Sequence, residues 1–98
     1  MLETTARLDS DRPQRYLKQL VSHLSNRLET NLIDAEHGSI RVPGGGSCLL
    51  TAAETSIEMT ASAADDESLA RIQDVVARHL LRFTRATELT VDWTARST

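Results

Sequence analysis

The chain has 98 residues, of which 40% are hydrophobic and 26% are charged, and this composition excludes a disordered chain and fits one globular domain over residues 1–98. The formal net charge of −3 gives no argument for a nucleic acid or membrane partner, and no apolar run reaches the ~20 residues that span a bilayer. One cysteine cannot form an internal disulfide, so we predict a cytoplasmic domain.

The first two elements are a strand and an amphipathic helix. Residues 2–8 alternate between apolar and polar side chains, which predicts a short strand. Asp11 is the predicted N-cap of the following helix, and Pro13 suits the first turn because proline needs no backbone donor there. The helix is predicted over 12–28, with one buried arc formed by Tyr16, Leu17, Leu20, Val21, Leu24 and Leu28.

The middle of the chain has the period-two pattern of an antiparallel meander. Residues 29–35 form its first predicted strand, and residues 37–38 are the predicted turn after it. Residues 43–46, a proline followed by three glycines, predict a hairpin loop, and a tight turn is expected at residues 53–54. The side chains predicted to face inward are Ile40, Val42, Cys48, Leu50, Ala52, Ile57, Met59 and Ala61.

The last third of the chain predicts a second helix and a final strand. Asp65 is the predicted cap of the helix, and the acids that follow it lie where the helix dipole favours negative charge. Residues 88–94 predict the strand, and residues 95–98 a frayed tail. The apolar stripe of the helix consists of Leu69, Ile72, Val75, Val76, Leu80 and Phe83.

These elements predict an α+β fold in the order β-α-β-β-β-β-α-β. It is a two-layer sandwich in which an antiparallel sheet carries both helices on one face, because each helix has a single apolar side. The other face of the sheet is then either solvated or an oligomer surface. Leu32 and Leu49 are expected to show on that face, and Leu81 is expected to be exposed on the second helix.

Charge is segregated along the chain. Residues 1–27 carry a net charge of +2, residues 28–70 carry −7, and residues 71–98 carry +2. Guanidinium groups on one side of the molecule can hold a carboxylate, phosphate or catecholate, whereas the alternative is a solvated face whose charges match the helix dipoles. If both helices share one face of the sheet, that side is lined by Arg12, Arg15, Lys18, Arg78, Arg82 and Arg85.

Two histidines are the polar residues whose positions carry most information. His79 lies within the apolar stripe of the second helix, where it either serves a site or is a core histidine bonded to a strand carbonyl or hydroxyl. His23 lies at the edge of the first helix's arc, beside Tyr16 and Arg27, where it either packs on the rim of the sheet or reaches a ligand. Acid–base chemistry requires His23, His79 and Tyr16 to converge.

Other chemistry has no support in the sequence. No two of the histidines and Cys48 stand at chelate spacing, so we predict no metal site, and no cofactor motif is present. Cys48 is expected to be a small buried hydrophobe. The chain lacks G-x-S-x-G, a P-loop, G-x-G-x-x-G and H-E-x-x-H, so we predict no catalytic residues.

Three stretches carry a characteristic combination of residues. The first is Arg12-Pro13-x-Arg15-Tyr16-x-Lys18-Gln19-Leu20-x-x-His23, the second is marked by Gly38, Pro43, Cys48 and Leu50, and the third runs Leu69-x-Arg71-Ile72-Gln73-x-Val75-Val76-x-Arg78-His79-Leu80-x-Arg82-Phe83 and continues to Leu89-x-Val91-x-Trp93. Together they resemble the bacterial domain-of-unknown-function family 2218 over nearly the whole chain. The resemblance implies no established activity. Because some such domains are joined to flavin-binding siderophore-interacting reductases, it implies a setting of iron–siderophore handling.

We therefore predict a small binding or accessory module for an anionic ligand such as a ferric siderophore, with a siderophore-handling reductase as its protein partner. The alternative is a homodimerising or partner-docking domain without catalytic activity. Nucleic acid is excluded as a partner because the acidic meander repels phosphate and no stacking platform is visible. The predicted ligand-binding residues supply charge, stacking or hydrogen bonds, and they are Arg15, Tyr16, Lys18, His23, His79 and Arg82.

Overall fold

The computed structural model of the chain describes residues 2–84 and 93–95. Within these residues, six antiparallel strands form one sheet in the order β2-β3-β4-β5-β1-β6. The elements follow one another in the predicted order. They are β1 (Leu2–Asp9), α1 (Pro13–Leu24), β2 (Glu29–Leu32), β3 (His37–Arg41), β4 (Ser47–Ala52), β5 (Ser56–Ala63), α2 (Asp66–Thr84) and β6 (Thr94–Ala95).

Both helices cover the same face of this sheet. α1 packs on β2, β3 and β4, α2 packs on β4, β5 and β1, and the two helices contact each other. The predicted inward side chains of β3, β4 and β5 are buried beneath them, because alternate residues of a strand point to one face. The predicted α+β sandwich with two helices on one side is therefore confirmed. Its largest fully buried side chains are Leu17, Leu20, Ile40, Leu50, Ile57, Met59, Ile72 and Leu80.

The first helix differs from its prediction at both ends. Arg12, not Asp11, is the N-cap residue, and no side chain caps the helix. The reason is that Pro13 takes the first helical position, so the cap must be the residue directly before it. The helix ends at Leu24 instead of residue 28, where Ser25 donates its hydroxyl to the Ser22 carbonyl at 2.7 Å. Such local bonds compete with the helix ladder.

The turn before β3 was predicted at residues 37–38, and this was wrong. Asp34 makes the turn, accepting hydrogen bonds from the Glu36 amide and from the His37 ring, each at 2.8 Å. Gly38 lies inside β3, where a Cβ would stand 3.0 Å from Val21 Cγ2. Glycine is therefore used there for the close approach of α1 to the sheet. β2 accordingly ends at Leu32, three residues before its predicted end.

The predicted β3–β4 loop and the predicted cap of α2 are confirmed, whereas the β4–β5 turn lies at residues 54–55, one residue later than predicted. Pro43 and Gly44 form the β3–β4 turn, in which the Gly45 amide donates to the Val42 carbonyl at 2.8 Å and Gly44 has a φ of 75°. At the start of α2, Asp65 accepts a hydrogen bond from the Ser68 amide at 2.7 Å, and this bond lowers the pKa of the Asp65 carboxyl.

The final strand is seen only in part. Thr94 and Ala95 pair with β1, and Trp93 packs against the core. Most of the predicted strand, including Glu88, Leu89 and Val91, lies outside the described residues, as does the tail after Ala95.

Candidate functional site

Arg15 and Lys18 line a depression between the outer side of α1 and the β2 edge of the sheet. We call it the β2 depression; its volume is about 350 Å³, and Gln14, Leu32 and Ala35 complete its lining. Gln14 and Lys18 are four residues apart on α1 and so lie on one side of that helix. Leu32 and Ala35 give the depression an apolar wall beneath two cationic side chains.

Leu32 was predicted on the open face of the sheet, and this was wrong. It pairs with Gly38, whose position lies against Val21 and Leu17 of α1, and residues paired across strands share a face. Leu32 nonetheless remains 40% exposed because β2 is the edge strand and lies beyond the cover of the helix. Its apolar surface is therefore available to a ligand next to Arg15 and Lys18.

The cations of the β2 depression differ from many other basic residues in their ion pairing. Within the described part of the chain, neither Arg15 nor Lys18 forms an ion pair, although both are exposed. Arg78, which was predicted on the same basic side, is paired with Asp74, and Arg85 lies outside the described residues. The other paired arginines are Arg7 with Asp9, Arg41 with Glu29 and Arg71 with Glu67.

The start of α1 adds to the positive character of this region. A second depression of about 490 Å³ is lined by Arg12, Pro13, Gln14, Arg15, Ala53 and Glu54. It shares Gln14 and Arg15 with the β2 depression, so the two adjoin. Because no side chain caps α1, the backbone N–H groups of its first turn add partial positive charge beside Arg12 and Arg15.

His23 of α1 and His79 of α2 meet where the two helices contact each other, and we call this pair the helix seam. The rings of His23 and His79 are 5.3 Å apart between centroids and tilted by 47°. His23 is exposed, whereas His79 is half-buried and donates its Nδ1 proton to the Val75 carbonyl at 2.8 Å. The expected partner of a core His79 was a strand carbonyl or hydroxyl; its actual partner is a carbonyl one turn earlier in its own helix.

Tyr16 precedes His23 on α1, and Arg82 follows His79 on α2. Tyr16 precedes His23 by seven residues, which places its Cα about 10 Å further back along α1, and it packs against the core. Arg82 is exposed and follows His79 by one turn. Of the six predicted ligand residues, Arg15 and Lys18 line the β2 depression, whereas His23 and His79 form the helix seam. Of the three residues whose convergence acid–base chemistry requires, the two histidines are in contact.

The sequence did not indicate which of the predicted ligand residues lie together in the folded chain. Gln14 and Ala35 were not among the predicted site residues, although the i, i+4 spacing of Gln14 and Lys18 is a usable signal. Nothing in the sequence indicates Ala35. It lines the depression because it belongs to the turn that the Asp34 side chain forms.

Cys48 is a buried thiol, and the described residues contain no cluster of three metal-ligand side chains. Cys48 is buried under the helices, and burial raises the pKa of its thiol to about 12, which matches the predicted role as a small hydrophobe. Within residues 2–84 and 93–95, no three His, Cys, Asp or Glu side chains are grouped closely enough to hold a metal ion. None of the described helices has the length and hydrophobicity required to cross a membrane.

The open face of the sheet carries mainly hydroxyl and charged side chains. A shallow depression of about 560 Å³ on it is lined mainly by Thr5, Arg7, Thr51, Glu58 and Thr60. Leu49 stands on the same face and is 57% exposed, as predicted. Leu81 was predicted to be exposed, and this was wrong: it is half-buried and packs against the core.

Comparison with known proteins places the chain in a family. It is similar to a protein of known structure, "NMR structure of PA4090 from Pseudomonas aeruginosa", with 32% sequence identity and a TM-score of 0.83 over 99% of this chain and 100% of that chain. No curated protein matches it. A family described as "Uncharacterized protein conserved in bacteria (DUF2218)" matches residues 5–94, and the chain therefore belongs to this family.

Proposed function

We propose that this domain binds a small anionic ligand in the β2 depression. The observation that carries the proposal is the pair of exposed cations, Arg15 and Lys18, which form no ion pair within the described residues and stand over the apolar surface of Leu32 and Ala35. A cationic side chain that has no carboxylate partner within the protein can pair with a carboxylate of a ligand. The apolar wall favours an anion with an aromatic or aliphatic part, such as an aryl carboxylate or a catecholate.

Cations are concentrated at this position although the domain as a whole is acidic. The formal net charge is −3, but charges further away than about 8 Å are largely screened at physiological ionic strength. The nearest described cations are Arg12, Arg15 and Lys18, and the uncapped start of α1 adds partial positive charge. Binding is therefore expected to weaken as salt is added. The helix seam is separate from the β2 depression and has no part in the proposed anion binding.

The more specific ligand we propose is a ferric siderophore, with the domain acting as an accessory to a siderophore-handling reductase in the cytoplasm. Its support is the resemblance described above together with the chemistry of the β2 depression, since catecholate siderophores combine aromatic rings with negative charge. Gallium(III) is a diamagnetic substitute for iron(III) and permits NMR measurements on such a complex.

The test is a titration followed by ¹⁵N amide shifts, with 2,3-dihydroxybenzoate as one probe and a gallium(III) catecholate siderophore as the other. We expect shifts at the amides of Arg15, Lys18 and Ala35, and about tenfold weaker binding in R15Q and in K18Q, which corresponds to the loss of one charge-assisted hydrogen bond. R78Q is the matched control because Arg78 is already paired with Asp74.

Two results would overturn this proposal. One is the lack of any shift around the β2 depression at millimolar probe. The other is equal weakening in R78Q and K18Q, which would show that only overall charge matters. Shifts caused by the free catecholate but not by the gallium complex would retain an anion site and remove the siderophore as its ligand.

A second candidate function is docking through the open face of the sheet, between two copies of this chain or onto a partner. Leu49 favours it, because an apolar side chain that is 57% exposed stands on a face otherwise lined by hydroxyls and charges. Light scattering at high concentration tests the homodimer. A mass that doubles with concentration, and that returns to the monomer value in L49K, supports it, whereas a strictly monomeric mass removes it.

A further inference from the structure

We propose that His23 and His79 together bind one divalent transition-metal ion at the helix seam. The two residues come from different helices, and 56 positions separate them in the chain, yet their rings meet at 5.3 Å. This site is separate from the β2 depression and does not depend on the function proposed there.

The distance between the ring centroids agrees with the geometry of a shared metal ion. A zinc–nitrogen bond of about 2.0–2.1 Å places the metal roughly 3.2 Å from the centre of an imidazole ring, and a tetrahedral angle between two such ligands separates the ring centres by about 5.2 Å. The observed separation is 5.3 Å. The rings are tilted by 47° and are therefore not stacked face to face.

The hydrogen bond of His79 prepares its other nitrogen for a metal. A carbonyl oxygen can only accept, so the 2.8 Å contact with the Val75 carbonyl requires the proton to be on Nδ1. In the neutral ring Nε2 then carries the lone pair. Metal-binding histidines commonly have this arrangement, with one nitrogen fixed by a backbone carbonyl and the other on the metal.

Access and ligand chemistry define the class of ion. His23 is exposed and His79 is half-buried, so an ion can reach the pair from solvent. Imidazole nitrogen suits copper(II), nickel(II) and zinc(II), with copper(II) expected to bind most tightly, whereas magnesium and calcium require oxygen ligands. No group of three potential ligand side chains exists among the described residues, so water is expected to fill the remaining positions.

A metal ion at this place would join α1 to α2. Both helices are held to the same sheet face, and they contact each other directly. An ion that binds the folded chain through one residue of each helix stabilises that state by mass action, since the unfolded chain does not hold the two rings together. Thermal stability is thus a readout of the site in addition to binding itself.

The test is calorimetric titration of the full chain with zinc(II), together with melting curves in zinc(II), copper(II) and magnesium(II). H23Q and H79Q remove one ligand each and keep most of the side-chain volume. H37Q is the matched control, because His37 is the third histidine of the chain and is an exposed residue of β3 paired with Asp34. Amide spectra of each variant show whether it is folded, and only folded variants enter the comparison.

We expect one zinc ion per chain, at least tenfold weaker binding in both H23Q and H79Q, unchanged binding in H37Q, and a rise in Tm with zinc(II) or copper(II) but not with magnesium(II). In ¹⁵N spectra of the imidazoles, Nε2 of His79 should shift while Nδ1 keeps its proton. If H79Q fails to fold, the imidazole spectrum of the parent chain with and without zinc(II) decides the question.

Three results would overturn the proposal. They are the lack of binding at millimolar zinc(II), binding that survives in H23Q or H79Q at the parent affinity, and an imidazole shift confined to His37. Any of them would mean that the histidines at the helix seam make only a packing contact.

Discussion

Replacement of Gly46 by alanine should destabilise the domain through a collision between α2 and the sheet. A Cβ built at Gly46 stands 2.8 Å from Ile72 Cγ2 and 2.9 Å from the Ser62 carbonyl oxygen. Favourable contacts between carbon atoms begin at about 3.5 Å, so the helix or the backbone of β5 must move by about half an ångström or more. Overpacking of this kind costs about 1–3 kcal/mol.

The neighbouring glycines provide matched controls. A Cβ at Gly44 has no atom within 4 Å, but the φ of 75° there costs an alanine about 1–2 kcal/mol. Asparagine tolerates this backbone region, so G44N should be more stable than G44A, whereas G46N should be less stable than G46A because the side chain is larger. A Cβ at Gly45 meets only Val42, at 3.2 Å, so G45A should cost least.

Urea unfolding at neutral pH measures all five variants. For a domain of this size, each kcal/mol also lowers Tm by about 4–8 °C. The reasoning is refuted if G46A is as stable as the parent chain, or if G46N recovers stability relative to G46A. Either result would mean that α2 does not approach the β4 end of the hairpin as closely as the structure shows.

Three further predictions concern single side chains. The pKa of Asp65 is lowered by its bond from the Ser68 amide, so the stability that it contributes is present above the ordinary carboxyl pKa of 3.8 and is lost as the pH falls through the lowered value. D65A should therefore be less stable than the parent in urea at neutral pH, and the difference should shrink at about pH 2.5; a constant difference would contradict the capping role. Because Cys48 is buried and the pKa of its thiol is raised to about 12, it should react with a disulfide reagent only as fast as the domain unfolds, and rapid labelling of the native chain would be inconsistent with its position. If Leu49 has no partner, L49T should leave stability within about 0.5 kcal/mol of the parent and lower retention on a hydrophobic column; a larger loss would place Leu49 in an interface.

Much of the fold could be predicted from the sequence because side-chain periods of two and 3.6 residues record which face of each element is buried. The alternation around Cys48, Leu50 and Ala52 is an example, and it was confirmed. Local capping at Asp65 was also predictable, since the Asp65 carboxyl and the Ser68 amide that donates to it lie within three residues.

What could not be predicted depends on contacts between distant elements. Gly38 resembles a turn residue in the sequence, but it is needed because α1 approaches the sheet at that point. The periodic pattern of α1 places Lys18 and His23 on opposite edges of its buried arc; only the positions of β2 and α2 reveal that these edges face different neighbours. Residues that were predicted to share one ligand site therefore contact different elements in the folded chain.

The β2 depression and the helix seam are expected to bind their ligands independently, and one NMR experiment tests this directly. Two ¹⁵N-labelled samples are titrated separately, one with 2,3-dihydroxybenzoate and the other with zinc(II), because the catechol itself chelates zinc(II). We predict two sets of shifted signals that do not overlap, one around Arg15, Lys18 and Ala35 and the other at the rings and amides of His23 and His79. If both ligands shift the same set of signals, or if the anion shifts those of the helix seam alone, the assignment of the cations and the histidines to different places is wrong.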